Sequence, residues 1–194
     1  MGLRNPGSEY HGTRHNLGEL VARALAGNVA FRRAPQRISA ELAVAEVGGR
    51  DAIISLPTTY MNESGRPVSG LIAYFKVPTS DLVLIHDDID LPFGKLRFQF
   101  GRGAGGHNGV ASVMRALGSR DVWRMKMGVG RPPGRQDPAD FVLERFPGHQ
   151  AEDVHLMVHG AVEVVRKFGS DGGDAATQAA GDVTARLGIA GDGA

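Results

Sequence analysis

The feature that most constrains the fold is a run of four apolar residues, 82–85, which stops at the polar triplet His86, Asp87 and Asp88. Four consecutive apolar side chains predict a strand buried on both faces, because a helix of that length would be too short to persist. In open α/β sheets, ligands bind just beyond the carboxyl ends of such strands. We therefore expect functional side chains at residues 86–88.

Two further segments complete this central stretch, which runs from residue 82 to residue 109. Residues 95–100 alternate between apolar and polar, which predicts a second strand. Residues 101–109 then contain five glycines around His107 and Asn108. Glycine has no side chain, so a backbone rich in it can approach a ligand closely. The stretch has the layout of a binding site.

The remaining periodicity predicts strands that alternate with helices. Helical spacing covers residues 17–25, 64–74, 108–117 and 151–168, with shorter helices at 137–145 and 174–186; strands are predicted at 41–47, 51–56 and 122–129. This order predicts a mixed α/β fold, in which a twisted sheet is sandwiched by helices. We expect a single domain over residues 1–194, with a frayed tail from about residue 188.

Composition excludes several classes of protein. The chain has no cysteine, which rules out disulfides, thiolate zinc sites and cysteine nucleophiles. No apolar run reaches about 18 residues, and the start lacks a signal pattern, so we expect a cytoplasmic protein without membrane contact. The net charge is only +1. A globally basic nucleic-acid binder is therefore disfavoured, although a local basic face is compatible with this charge.

His15 and Asp87 are the candidate catalytic pair. His15 stands at a loop-to-helix junction, where a histidine on its own is usually exposed or caps the helix. A carboxylate at the end of the central strand changes this interpretation, because a histidine acting as a general base needs one to fix its tautomer. The sequence alone does not show whether the two side chains meet.

A metal site is the alternative use of these carboxylates. Asp87, Asp88 and Asp90 form a cluster at a strand end, which suits Mg²⁺, but no Walker loop accompanies them. His155 and His159 are spaced i, i+4 without the glutamate of a zinc-protease motif, so a solvated helix face is favoured there. We expect no metal and no cofactor.

Three asparagines and a set of basic residues lie near the predicted site. Asn5, Asn62 and Asn108 each lie in or beside a loop, where asparagine usually forms turns but can also bind a peptide or ester carbonyl. Lys and Arg side chains alternate outward on two strands, and such faces are usually plain solvated surface. If the strands are neighbours, they would form a phosphate-sized patch. Its members would be Lys95, Arg97, Arg124 and Lys126, with Arg102 nearby.

Six ordered motifs resemble one known family. GLRNPG, YHGTRHN, LPTTYMNESG, HDDIDLPFG, GAGGHNG and MGVGRPPGR, spread over residues 2 to about 146, closely resemble bacterial peptidyl-tRNA hydrolase. The resemblance implies a monomeric, metal-free α/β enzyme without an obligate protein partner. Such an enzyme cleaves the ester between a peptide and its tRNA and so recycles stalled tRNA during translation.

The resemblance also implies roles for particular residues. His15 would be the catalytic base, Asp87 would stabilise it, and Asn5 would discriminate blocked from free aminoacyl-tRNA. Contacts with the substrate are implied for Tyr10, Tyr60, Asn62, His107 and Asn108, and contacts with tRNA phosphate for Arg97 and Lys126.

The chain departs from the family pattern at three places. Arg4 replaces a small residue and puts bulk and charge next to Asn5. Gln99 stands where a second basic residue is frequent, which predicts a weaker phosphate clamp or one shared with Arg102. The tail after Gly169 is poor in the usual pattern. Two rival functions stay open: a silent RNA-binding relative, and a metal-dependent phosphoesterase that uses residues 87–90.

The start of the chain carries a separate expectation. Only three residues precede Arg4, whereas strands usually have about five or six. A short central strand would leave its neighbours' backbone groups unpaired or wetted, part of the core uncovered and Asn5 loosely held. We expect from this that the chain starts too late and that the natural protein carries an upstream apolar strand.

Overall fold

The computed structural model describes residues 1–189. The predicted helices and strands are present there, together with a short strand at Arg32–Arg33 that was not predicted from the sequence. The strands are β1 (Arg32–Arg33), β2 (Ala40–Val47), β3 (Arg50–Pro57), β4 (Val83–Asp88), β5 (Leu96–Phe100) and β6 (Trp123–Gly128). The helices are α1 (Leu17–Ala26), α2 (Gly65–Phe75), α3 (Asn108–Leu117), α4 (Pro138–Leu143), α5 (Ala151–Asp171) and α6 (Gly173–Leu187). The predicted tail beyond residue 189 lies outside the described residues.

The strands form two three-stranded groups of different direction. In the order β1-β2-β3 all pairs are antiparallel, and β2 and β3 join through Gly48 and Gly49, both at positive φ. In the order β4-β6-β5, β4 is parallel to β6 and β5 is antiparallel to it. The mixed sheet predicted from the sequence is confirmed.

Residues 1–3 lie between β3 and β4 and connect the two groups. Gly2 N donates to Ser55 O at 3.0 Å, Leu3 N donates to Ile85 O at 3.0 Å, and Ile85 N donates to Met1 O at 2.9 Å. These three residues therefore do pair with both neighbouring strands. A cavity of about 760 Å³ lies beside Met1 and is lined in part by β3 and β4.

Helices cover both faces of β4. Leu84 packs in one buried cluster with Val110 and Val113 of α3, whereas the adjacent Ile85 packs in another cluster with Val21 of α1 and Met157 of α5. Each fully buried aliphatic side chain stabilises the fold by about 1.5–3 kcal/mol. The continuous apolar run in the sequence is therefore explained by two helical layers.

Gly18 sets how closely α1 approaches the central strand. A Cβ atom on Gly18 would lie 2.2 Å from the carbonyl oxygen of Ile85 and 2.7 Å from Leu3 N. Only glycine permits this contact, which brings the start of α1 directly onto β4. Within residues 1–189, no helix combines the length and the apolarity needed to cross a membrane.

Candidate active site

His15 and Asp87 meet at the edge of the sheet. His15 lies in the single helical turn Arg14–Asn16 that precedes α1, and Asp87 lies near the end of β4. Nδ1 of His15 is 2.9 Å from Oδ1 and 3.1 Å from Oδ2 of Asp87. Because an ionised carboxylate only accepts hydrogen bonds, the proton of neutral His15 is on Nδ1 and Nε2 carries a lone pair. Nε2 has no hydrogen-bond partner among residues 1–189.

His107 binds the same carboxylate from the other side. Its Nε2 lies 3.0 Å from Oδ1 of Asp87, while its Nδ1 accepts hydrogen bonds from the backbone N–H groups of Gly109 and Val110 at 3.1 and 3.3 Å. His107 is thus the N-cap of α3, and these acceptor bonds place its proton on Nε2. Both ring nitrogens are occupied, so His107 is suited to hold Asp87 and has no nitrogen left for a base.

Burial and charge act against each other in this pair. Burial lowers the pKa of His15, but the charge of Asp87 and its hydrogen bond outweigh burial, and the pKa of His15 is raised above its ordinary value. Burial raises the pKa of Asp87, but the two histidines outweigh it and hold that pKa far below the usual range of a carboxyl group. Asp87 is therefore ionised at any physiological pH.

A third histidine supports the cluster from inside. His86 is buried, its Nδ1 lies 2.6 Å from the backbone oxygen of Asp87, and its ring packs edge-on against His107 with centroids 4.6 Å apart. Burial first, and the close approach of His107 second, lower the pKa of His86 well below its ordinary value. A neutral His86 fills the space behind the reactive pair.

The cluster opens into a cavity of about 580 Å³ that collects most of the residues predicted for the site. The predicted residues lining it are Asn5, His15, Tyr60, Asn62, Asp87, His107 and Asn108. Tyr10 does not line it but packs edge-on against Tyr60, with ring centroids 6.5 Å apart. The cavity is also lined by residues 137–139, Val142 and Leu143, which were not predicted from the sequence.

Asn5 is held firmly, contrary to the expectation of a loose loop. Its backbone N–H donates to Oδ1 of Asn16 at 2.8 Å, and Nδ2 of Asn16 donates back to its carbonyl oxygen at 2.9 Å. Its side-chain Oδ1 accepts from the backbone N–H of Met61 at 2.8 Å, which leaves Nδ2 without a partner among residues 1–189. Sequence reasoning missed Asn16, because an asparagine before a helix reads as a simple N-cap.

The prediction that Arg124 and Lys126 point outward is wrong. Arg124 is 1% exposed, and its guanidinium donates to the carbonyl oxygens of Gly101 and Gly103 at 2.6 and 2.8 Å. Lys126 is largely buried and pairs with Asp88 at 2.5 Å. The glycine-rich loop therefore covers Arg124, whereas Lys126 is held by a carboxylate at the end of β4. Arg97, which is opposite Lys126 in the register of β5 and β6, is exposed as expected.

The carboxylates near the strand end do not converge on one point. Asp87 binds two histidines, Asp88 binds Lys126, and Asp90 pairs with Arg131. This divergence disfavours the magnesium alternative.

Within residues 1–189, His15, Asp87 and His107 are the one group whose ligand atoms lie close enough, within 4.8 Å, to hold a metal ion. The nitrogen that His107 would offer carries its proton, which argues against coordination there. His155 and His159 lie on an exposed helix face, as predicted, with Nε2 atoms 3.1 Å apart.

The chain is similar in sequence to proteins of one family. The family model described as Peptidyl-tRNA hydrolase matches residues 1–186. Among curated proteins, the chain is 49% identical over 166 residues to the peptidyl-tRNA hydrolase of Nocardia farcinica, covering 85% of this chain and 86% of that one. It is 43% identical over 187 residues to that of Kineococcus radiotolerans, covering 92% and 93%.

Solved structures show the same likeness. The crystal structure of peptidyl-tRNA hydrolase from Acinetobacter baumannii superposes with a TM-score of 0.79 at 27% identity, covering 95% of this chain and 92% of the other. An arginine-to-glutamine mutant of that enzyme gives a TM-score of 0.84 at 28% identity, with the same coverage.

Proposed function

The chain belongs to the peptidyl-tRNA hydrolase family, and on that premise we propose that His15 is the general base that activates water for hydrolysis of the peptidyl-tRNA ester. The observation that carries this proposal is the orientation of His15. Its Nδ1–H donates to Asp87, whose lowered pKa keeps it ionised, so the lone pair is on Nε2, and the ring lines the cavity. A general base of this kind contributes about 10²–10⁴-fold to the rate.

The reaction needs one proton to move twice. Nε2 of His15 takes a proton from water as the water oxygen attacks the ester carbonyl carbon. The resulting imidazolium is stabilised by Asp87. When the tetrahedral intermediate collapses, the bond from carbon to the ribose oxygen breaks, and Nε2 returns the proton to that oxygen. The products are a free peptide acid and a tRNA with a free 3′-terminal ribose.

In this proposal the side-chain amides around the cavity bind different groups of the substrate. Nδ2 of Asn5 would donate to the carbonyl oxygen of the group that blocks the amino nitrogen. A free aminoacyl group lacks this carbonyl. The position of Asn5 supports this role, because Oδ1 is already bound by Met61 N and only the donor edge is left. Asn62 and Asn108 would hold the peptide and the developing oxyanion, with Tyr10 and Tyr60 packing against the substrate.

The tRNA body would bind along the sheet edge at Arg97. This side chain is exposed and carries a charge that can neutralise a phosphate. The pairing of Lys126 with Asp88 makes Lys126 an indirect contributor, through the shape of the β5–β6 face. We propose further that the protein acts as a monomer in the cytoplasm, without a metal or a protein partner.

The experiment that tests this proposal is hydrolysis of N-acetyl-aminoacyl-tRNA by purified protein, with and without EDTA. Release of tRNA at the same rate in both arms is expected. Loss of hydrolysis in EDTA, with recovery on adding Mg²⁺ or Zn²⁺, would favour the metal-dependent alternative. Binding of tRNA without hydrolysis in either arm would favour a silent RNA-binding protein.

A further inference from the structure

Arg4 lies buried beside the site, and its charge is fully partnered. The residue is 7% exposed. Its Nε donates to the carbonyl oxygen of Pro57 at 3.0 Å, Nη1 donates to Glu19 at 2.6 Å, and Nη2 donates to Glu41 at 3.0 Å. The Arg4 side chain therefore does not crowd the cavity beside Asn5. It points away from the cavity into a network of ion pairs between α1 and β2.

Glu19 connects this arginine back to Asn5. One carboxylate oxygen, Oε1, accepts from Arg4 and also from Arg23 at 2.7 Å. The other, Oε2, accepts from Nδ2 of Asn16 at 3.3 Å. Asn16 in turn forms the two hydrogen bonds with the backbone of Asn5 described above. A series of hydrogen bonds thus links Arg4 through Glu19 and Asn16 to Asn5, the residue that follows Arg4 in the chain.

We propose that the buried pair of Arg4 and Glu19 is a positioning device that fixes the Asn5 amide in the cavity and so sets the selectivity for N-blocked aminoacyl-tRNA. This inference rests on the proposed role of Asn5. Glu19 orients the Asn16 amide, which must present Oδ1 to Asn5 N and Nδ2 to Asn5 O. Arg4 holds Glu19 in that orientation from the opposite side.

Stability alone is a weak reason for this arrangement. A buried ion pair costs both charges their hydration, and apolar replacements of similar volume are frequently as stable or more so. A well-placed amide, in contrast, depends on side chains whose own geometry is locked by neighbouring hydrogen bonds. The two explanations differ in what they predict for a charge-free replacement.

The decisive variant is the double substitution Arg4→Met/Glu19→Leu, which removes both buried charges and keeps the volume. Its matched control is Arg186→Met/Glu163→Leu, the same exchange at an exposed ion pair between α6 and α5. Arg4→Lys is the second test, since a lysine keeps the charge but does not reproduce the three directed contacts of the guanidinium. Asn5→Ala is the reference for complete loss of the amide.

The measurement is kcat/KM on N-acetyl-aminoacyl-tRNA and on free aminoacyl-tRNA, together with the melting temperature. We expect the ratio of the two kcat/KM values to fall about tenfold in Arg4→Met/Glu19→Leu, and by a smaller factor in Arg4→Lys, because a small misplacement of a binding group is costly. The control pair should keep the wild-type ratio. A merely structural role would lower both kcat/KM values equally and leave the ratio unchanged.

The outcomes separate this inference from the function beneath it. If Asn5→Ala loses selectivity while the folded Arg4→Met/Glu19→Leu or Arg4→Lys protein retains it, the positioning role is overturned and the proposed function stands. If Asn5→Ala itself keeps the wild-type ratio, the role proposed for Asn5 fails, and the inference fails with it.

Discussion

His15 and His107 bind the same oxygen of one carboxylate, and their ring centres lie 4.8 Å apart. The two histidines are not equivalent. His107 uses its second nitrogen to cap α3, whereas the second nitrogen of His15 has no partner among the described residues and its ring lines the cavity. Although both rings bind Asp87, only His15 is therefore suited to act as a base, whereas His107 supports Asp87.

Replacing His107 should distinguish its supporting role from the catalytic role of His15. His107→Asn keeps a side chain that caps helices well, so α3 should stay folded, but it removes the ring that holds Asp87. We expect kcat on N-acetyl-aminoacyl-tRNA to fall about tenfold, in keeping with one lost hydrogen bond to a charged group. A loss as large as that of His15→Ala, at an unchanged melting temperature, would instead make His107 a member of the reacting pair.

Asp87 should shift the pH profile as well as the rate. Activity requires unprotonated His15, whose pKa is raised above the ordinary value by Asp87, so kcat/KM should rise with pH through a midpoint above about 6.5. In Asp87→Asn the cause of the raised pKa is gone. The midpoint should move to lower pH, while the plateau falls by less than it does for His15→Ala.

The control for that profile is Asp90→Asn, in the same acidic run. Asp90 is exposed and pairs with Arg131 rather than with a histidine. Its replacement should leave the acidic limb of the profile, the rise of kcat/KM with pH, at the wild-type midpoint. An acidic limb that is unmoved in Asp87→Asn would show that His15 is not the group that titrates.

Arg97 and Lys126 should differ, although they face each other across two strands. Arg97→Ala should raise KM for whole tRNA and reduce the salt slope by about one unit, because one exposed phosphate contact is lost. Lys126→Ala should also destabilise the fold, by about 3 kcal/mol, since it leaves the buried Asp88 carboxylate without its ion-pair partner.

A short N-blocked ester without the tRNA body distinguishes the two effects. Folded Arg97→Ala should hydrolyse it at the wild-type rate. An equal loss on the short and the full-length substrate would mean that Arg97 supports the site rather than the tRNA.

Gly18 should be among the least tolerant positions of α1. Gly18→Ala would place a methyl group 2.2 Å from Ile85 O, which forces α1 away from β4 and His15 away from Asp87. We expect a loss of about 1–3 kcal/mol in unfolding free energy, measured by urea denaturation, with reduced turnover in the folded fraction. Gly181→Ala, in open space on α6, is the control and should be neutral or stabilising. A stable, fully active Gly18→Ala would contradict the close contact.

Local patterns in the sequence predicted most of the fold. The apolar run at 82–85 gave a strand buried on both faces, and the amphipathic segment before Gly118 gave α3 with the same limits, Asn108–Leu117. Both patterns reflect burial that repeats with the period of a single element. The sequence indicated His15 and Asp87 as a candidate pair but did not show their contact; the structure places Nδ1 of His15 2.9 Å from Oδ1 of Asp87.

Contacts between distant segments were beyond reach of such patterns. Strict alternation on β6 placed Arg124 in solvent, but the carbonyl groups of Gly101 and Gly103 fold over it and bind its guanidinium. Likewise, nothing local marked Asn16 as the clamp of Asn5 or Glu19 as the partner of Arg4. These polar side chains are buried by tertiary packing. Their partners lie in other segments of the chain, and the periodicity of a single helix or strand carries no information about such contacts.

The most direct test of the general-base role is single-turnover hydrolysis of N-acetyl-aminoacyl-tRNA by wild-type protein and by His15→Ala, both at saturating enzyme and in EDTA. We expect His15→Ala to be slower by about 10²–10⁴-fold, with substrate affinity and melting temperature close to the wild type, because only the proton acceptor is removed. A His15→Ala protein that turns over at a near-normal rate would contradict the mechanism.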